Sequence, residues 1–356
     1  MMIGSLKNLL KPHVCLHAER SRFANGRHLA GSLLIAMLTA ASAQAAEVHL
    51  LNVSYDPTRE LYEAINQKFA ADWKARTGDT VTIEQSHGGS SKQARAIIDG
   101  LEADVATLGI ASDIDALHDN GNLVADNWQG RLPNDSTPYT STIVLLVRKG
   151  NPKQIKDWND LARPGVQVIT PNPKTSAGAR WNFLGTYVYG LEKNGNDQKK
   201  ALDFVAQIYR NVPILDSGTR GSTTTFAQRG LGDVLITWEN EAYLTLKEFG
   251  ADQFQIVTPS ISMFAQPPVA VVDQYAHKHG TEKVAKAYLD YLYTPEAQEI
   301  IAGQHYRPID PKVAAEHAKE FAPIKLVNVQ TLGGWRKVQP QFFADGGLFD
   351  AIYQKK

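Results

Sequence analysis

The chain of 356 residues carries 37 basic and 37 acidic side chains and is 43% hydrophobic, enough length and apolar content for two domains with buried cores. No long run of like charge is present and nothing resembles a basic nucleic-acid-binding surface, which argues against a nucleic-acid-binding protein. The single cysteine, Cys15, lies in the segment expected to be removed, which excludes disulfides, thiolate catalysis and cysteine metal ligands from the mature protein.

Residues 1–45 read as a secretory signal peptide. Lys7, Lys11, Arg20, Arg22 and Arg27 form a basic region, residues 29–41 an apolar run, and Ala43-Gln44-Ala45 a small-residue cleavage pattern. The apolar run falls short of the ~20 residues that span a bilayer. Cleavage after Ala45 removes five bases and one acid from a charge-balanced chain and leaves a formal charge of −4. An exported chain without disulfides fits the bacterial periplasm.

Residues 47–53 read as a strand, and Asp56-Pro57 as the opening of the first helix, with Asp as N-cap and Pro in the first turn. Leu61, Ala64, Ile65, Phe69 and Trp73 share one face at helical spacing, and Gly78 ends the run. A strand at 80–84, a helix at 93–101 and a strand at 104–110 complete a βαβαβ opening, the pattern of a parallel sheet covered by helices. Polar, Pro-rich residues 133–139 and a continuous strand at 140–148 mark a first crossing between lobes. The alternation restarts with strands at 166–170, 212–216, 233–238 and 255–259, and Pro267-Pro268 with a strand at 269–272 marks the return. Residues 281–304 read as helical with a second helix starting at Pro295, and 332–353 as a partly helical, aromatic tail. The fold class is therefore α/β with two lobes, each a mostly parallel sheet flanked by helices. The expected division is 46–140 for lobe I, 141–267 for lobe II, and 268–356 for the return to lobe I with the C-terminal helices.

Three stretches stand between a strand-like and a helix-like run and are rich in Gly and Ser: His87-Gly88-Gly89-Ser90-Ser91-Lys92, Asn172-Pro173-Lys174-Thr175-Ser176-Ala177-Gly178-Ala179-Arg180, and Ser217-Gly218-Thr219-Arg220-Gly221-Ser222-Thr223. Such an order directs unpaired N–H groups and the positive end of a helix dipole into one space, which suits a small oxyanion. Ligands of open α/β sheets bind outside the carboxyl ends of the strands, where all three turns and Asp56 fall. Trp238 adds an indole N–H, a donor that never accepts; a half-buried core tryptophan, and plain N-caps at Ser90, Ser91 and Ser176, are the alternatives.

Enzyme chemistry has little support. Lys174-Thr175-Ser176 is similar to the Lys-Thr-Gly element of penicillin-binding enzymes, but Gly89 stands where their Ser-x-x-Lys would place a serine before Lys92. No Gly-x-Ser-x-Gly elbow and no phosphate-binding Gly-x-x-x-x-Gly-Lys-Ser/Thr loop occurs. No catalytic residue, metal ligand or cofactor is expected.

These segments resemble a known family. Leu50-Leu51-Asn52-Val53-Ser54-Tyr55-Asp56-Pro57-Thr58-Arg59-Glu60, Thr77-Gly78-Asp79 with Gln85-Ser86-His87-Gly88-Gly89-Ser90, residues 172–180 and Gly333-Gly334-Trp335 are similar to the periplasmic sulfate-binding proteins of ABC importers, of the two-lobed "Venus flytrap" type. The resemblance covers essentially the whole mature chain. It implies one sulfate held by uncharged donors: the backbone N–H groups of Asp56, Ser90, Ala177, Gly178 and Thr219, the Ser176 hydroxyl and the Trp238 indole. Ala177 stands where the family usually has Gly, and Thr219 where a small Ala is common. Sulfate is a dianion without a proton at neutral pH and asks for donors alone, whereas hydrogen phosphate also needs an acceptor. The implied function is a monomeric periplasmic receptor, not an enzyme, that delivers sulfate to membrane permease subunits. A thiosulfate or molybdate receptor, or a secreted sulfate or phosphate ester hydrolase, remains the alternative.

Overall fold

The computed structural model describes residues 46–353, so the expected signal peptide lies outside the described residues. No helix among them is long and apolar enough to cross a membrane.

The chain opens with β1 (Glu47–Tyr55), a helix at Arg59–Thr77 and β2 (Thr80–Gly88), and β1 and β2 pair in parallel along their full length. The helix ends at Gly78, whose φ of 83° is the left-handed conformation that Gly adopts without strain. Its entry differs from expectation. Asp56–Thr58 form a short 3-10 turn that receives no side-chain cap from Asp56. The second helix starts at Ser90, earlier than the expected 93, because β2 runs to Gly88 and leaves Gly89 as N-cap.

β3 (Val105–Thr107) pairs in parallel with the other edge of β1. The strand expected at 140–148 is broken into β4 (Tyr139–Thr140) and β5 (Ile143–Arg148). Between them Ser141 bridges Ala265, and the Thr142 hydroxyl donates to the Met263 carbonyl at 2.9 Å. The two segments crossing between the sheets are thus held to each other. The second half contributes β6 (Val168–Pro171), β7 (Leu215–Asp216), β8 (Val234–Trp238) and β9 (Phe254–Val257), followed by β10 (Ile261–Met263) and β11 (Val269–Val271).

Two sheets result, in the orders β11-β3-β1-β2 and β7-β6-β8-β5-β9. The first is parallel apart from the returning β11. In the second, β6, β7 and β8 run parallel, but β5 lies antiparallel to both its neighbours. β5 enters this sheet directly from the crossing, without a preceding helix to reverse the chain, so its direction is set by where it enters.

Both sheets are covered on both faces. Leu61, Ile65, Phe69 and Trp73, one stripe at helical spacing, pack with Tyr288 and Leu289 on one side of the first sheet, while Ile97, Ile114 and Leu117 cover the other. In β5 the period of two is explicit: Ile143, Leu145 and Val147 join the core around Trp158 and Trp181, and Val144 and Leu146 the core around Phe226.

The last part of the chain departs from a simple return. Helices at Glu282–Tyr291 and Pro295–Gly303 pack on the first sheet, but β12 (Arg307–Pro308) pairs with β4, and β13 (Lys325–Val327) pairs with β10. From there the aromatic tail joins the core of the second sheet. Phe342 and Phe343 lie 5.9 and 5.3 Å from Phe183, centroid to centroid, and Phe342 5.1 Å from Tyr187. Lys174 anchors this tail with hydrogen bonds to Ala344 O (2.9 Å) and the Asp350 carboxylate (2.8 Å). Replacing the buried Phe343 with Ala is expected to destabilise the protein by ~3–5 kcal/mol in urea unfolding; a loss under ~1 kcal/mol would show that the tail is only loosely docked.

Candidate anion site

Three helices begin at the carboxyl ends of β2, β6 and β7: Ser90–Ile98, Ala177–Lys193 and Thr219–Thr223. The middle one is capped by Ser176, whose Oγ accepts from Ala179 N–H at 3.4 Å and keeps its own proton to donate. The other two have glycine N-caps with no side-chain cap. First-turn N–H groups have no intrahelical acceptor.

The three turns meet in the gap between the sheets. Gly89, from the first sheet, packs so closely on the Thr175 and Ser217 carbonyl oxygens of the second that a Cβ would not fit. Lys92 N–H donates to Thr175 O at 3.4 Å, and the Thr175 hydroxyl to Ser217 O at 2.8 Å, which ties all three turns together. Gly178 is equally confined: a Cβ there would lie 2.5 Å from Trp238 Nε1 and 2.6 Å from Thr219 Oγ1. Trp238 is fully buried at the end of β8, packs on Tyr55 with ring centroids 5.4 Å apart, and its Nε1 has no acceptor. A sealed, unpaired donor costs about 1–3 kcal/mol, so this indole points to an acceptor that arrives from outside.

All of the expected residues are buried and border this gap: Asp56, Ser90, Ser176, Ala177, Gly178, Thr219 and Trp238. Ser90 presents only its backbone, because its hydroxyl donates to the Asp113 carboxylate at 2.5 Å and accepts from Gly109 N–H at 2.9 Å. The Asp56 carboxylate is held by Arg59 at 3.2 Å and lies against Gly218 across the gap. Burial raises its pKa, and the Arg59 and Arg220 guanidiniums oppose the rise.

Neither neighbouring arginine is free to be a counter-ion. Buried Arg180 pairs with Asp113 at 3.3 Å and donates to Pro173 O at 2.7 Å. Arg220 is surrounded by Glu60 at 3.0 Å, Glu241 at 3.4 Å and Glu248 at 3.6 Å. His87 is neutral as well: burial, with help from Arg59 and Arg220, lowers its pKa to about 4. Besides the Asp56 carboxylate, which Arg59 holds, the charged side chains around the gap are paired with one another.

Asp113, Glu60 and Gly109 were not legible from the sequence. Asp113 joins Ser90, Ser91 and Arg180, Glu60 reaches Arg220 across the gap, and Gly109 accepts from Trp181 Nε1 at 3.0 Å. An acid in a helix's first turn and a glycine after a strand are too common to signal such roles.

The sequence matches the family described as bacterial extracellular solute-binding protein over residues 51–307. It is 58% identical over 320 residues to the sulfate-binding protein of Escherichia coli, covering 90% of this chain and 97% of that one. It is 51% identical over 328 residues to the thiosulfate-binding protein of Pseudomonas aeruginosa, covering 92% and 98%. The solved structure of a sulfate-binding protein from Mycobacterium tuberculosis superposes with a TM-score of 0.75 at 35% identity, covering 83% of this chain and 99% of that one. On these matches and the two-sheet architecture that carries the site, the chain belongs to the bacterial extracellular solute-binding protein family.

Proposed function

We propose that this protein is a periplasmic receptor that captures sulfate between its lobes and delivers it to the permease of an ABC importer. The buried, unpaired Trp238 Nε1, aimed at the point where the Ser176 and Gly218 turns meet, carries this reading. The names of its relatives support sulfate as the anion. In the proposed complex the N–H groups of Asp56, Ser90, Ala177, Gly178 and Thr219, the Ser176 hydroxyl and the indole donate to the sulfate oxygens. Hydrogen bonds to a charged acceptor contribute about 1.5–3 kcal/mol each, and association costs of about 4–15 kcal/mol come off their sum.

The lobes belong to the same proposal. One comprises the first sheet and the helices at Glu282–Tyr291 and Pro295–Gly303; the other comprises the second sheet with the tail from Trp335 onward. Export with cleavage after Ala45 is also part of it. N-terminal sequencing of the exported protein is expected to begin Ala46-Glu47-Val48, and an intact N-terminus would overturn the periplasmic assignment.

Thiosulfate is a second ligand with support, since a thiosulfate-binding protein is 51% identical. It offers the same double charge and three oxygens, so a donor-only cradle accepts both. The ester hydrolase reading is weaker: Ser176 Oγ accepts from Ala179 N–H, and the half-buried His87 has no hydrogen bond to Ser176, its Nε2 being without a partner. Turnover of a chromogenic sulfate ester that vanishes in Ser176→Ala would establish it.

Calorimetry on mature protein dialysed free of anions, titrated with sulfate, thiosulfate, molybdate and phosphate, tests the assignment. One-to-one binding of sulfate with little response to phosphate is expected; binding of phosphate or molybdate alone would refute the donor set. Gly178→Val fills the space before Trp238 Nε1 and is expected to weaken sulfate at least ~100-fold, the loss of about two charged hydrogen bonds. Affinity should stay within about twofold between pH 6 and 8, because none of the proposed donors titrates there. His87 becomes charged only as pH falls through about 4, below that window. A steep change within it would show that a titrating group touches the anion.

A further inference from the structure

We infer that the side-chain hydroxyl of Thr219 is itself a donor to the bound anion, in addition to the Thr219 backbone N–H, and that it fixes an oxygen at the corner shared with Trp238. The inference rests on the receptor reading above and extends it to a residue whose side chain that reading leaves unused.

The argument is geometric. Thr219 is buried, with 4% of its surface exposed. Thr219 Oγ1 and Trp238 Nε1 stand 2.6 and 2.5 Å from the same point, the Cβ position that Gly178 lacks. One of these groups is a fixed ring N–H, sealed and without an acceptor. The other is a hydroxyl whose proton rotates to suit a neighbour. Local structure does not use that hydroxyl: the helix it begins has no side-chain cap. The hydrogen bond made to Thr219 by Thr223 Oγ1, at 3.3 Å, goes to the Thr219 carbonyl. Among the described residues no protein acceptor takes the Thr219 hydroxyl proton. β-Branching restricts its χ1, so the orientation is held by the backbone and needs little ordering when a ligand enters.

Two neighbouring donors without a protein acceptor favour a ligand atom with several lone pairs and negative charge. An oxyanion oxygen meets that requirement, and the more weakly accepting terminal sulfur of thiosulfate does not. Thiosulfate therefore enters with an oxygen at this corner and its sulfur turned elsewhere. The competing explanation is that the side chain only fills space, in which case valine, of nearly the same shape, serves as well.

Calorimetric titration with inorganic sulfate separates these explanations across the wild type, Thr219→Val, Thr219→Ser and Thr219→Ala, with ligand-free thermal unfolding as a check on folding. Valine and alanine are expected to weaken sulfate about 10- to 100-fold, and serine to stay within about threefold of wild type. The Trp238 indole N–H resonance should still move on sulfate addition in Thr219→Val, showing that the rest of the site is intact. Wild-type binding with an unaltered Thr219→Val overturns this inference alone. Absence of sulfate binding by the wild type overturns the receptor reading and this inference with it. If valine perturbs folding, serine against alanine makes the same comparison, and equal affinities there overturn the inference.

Discussion

A buried donor with no partner is the constraint around which the cleft is built. Trp238 Nε1 lies at the end of β8, inside the protein, behind a glycine that leaves it uncovered. The atom is sealed within the protein, and an unpaired buried donor costs about 1–3 kcal/mol. In the proposed complex an anion accepts from this N–H and converts that cost into a charge-assisted hydrogen bond, a gain that exists only in the liganded state. Differential stabilisation of this kind is what lets a ligand bias one conformation over another. The glycines serve it directly: Gly89 permits the backbone contact between lobes, and Gly178 leaves the space in front of the indole.

Holding a dianion without a counter-charge requires that nearby charges be neutralised by each other. Arg180 is matched by Asp113, and Arg220 by three glutamates, two of them on its own side of the gap and one, Glu60, on the other. An ionic pair as deeply placed as Arg180–Asp113 is a weak contributor to net stability, because desolvation offsets much of its attraction. Its value here is positional. Asp113 fixes the first turns of two helices on opposite sides of the gap through Ser90 and Arg180, so the backbone donors are aimed before any ligand arrives. Asp56 follows the same logic: the N-cap role expected for it is not used, and Arg59 holds its carboxylate while its place at the end of β1 keeps the backbone at the cleft.

Much of this was legible in advance, for definite reasons. The stripe from Leu61 to Trp73 has a helical period that survives any tertiary arrangement, and Gly78 is where a left-handed cap is needed. The three Gly/Ser turns were found because turn chemistry and helix starts are local. Strand ends were less secure: β2 runs on through His87 and Gly88, which read as turn residues, because pairing with the long β1 overrides their weak strand preference. The division of 140–148 into two strands was hidden because its residues are uniformly apolar or small, and only the bridge to Ala265 interrupts them. The tail's lobe could not be read for a related reason: Phe342, Phe343 and Phe349 sit in short elements with no sustained period, so nothing local says which sheet they cover.

The sequence by itself determined that this is an α/β protein with strand-end turns suited to an oxyanion, because helical period, turn residues and helix caps depend on neighbours a few positions away. The proposed donor set of backbone N–H groups, a hydroxyl and an indole came from the family resemblance and not from a local pattern. Only the tertiary structure decided that turns near residues 89, 178 and 218 meet at one place and that the nearby arginines are already paired. It alone turned the Thr219 side chain toward the indole. Those facts depend on contacts between residues far apart in the chain, set by how two sheets pack and cross, and no local pattern encodes them.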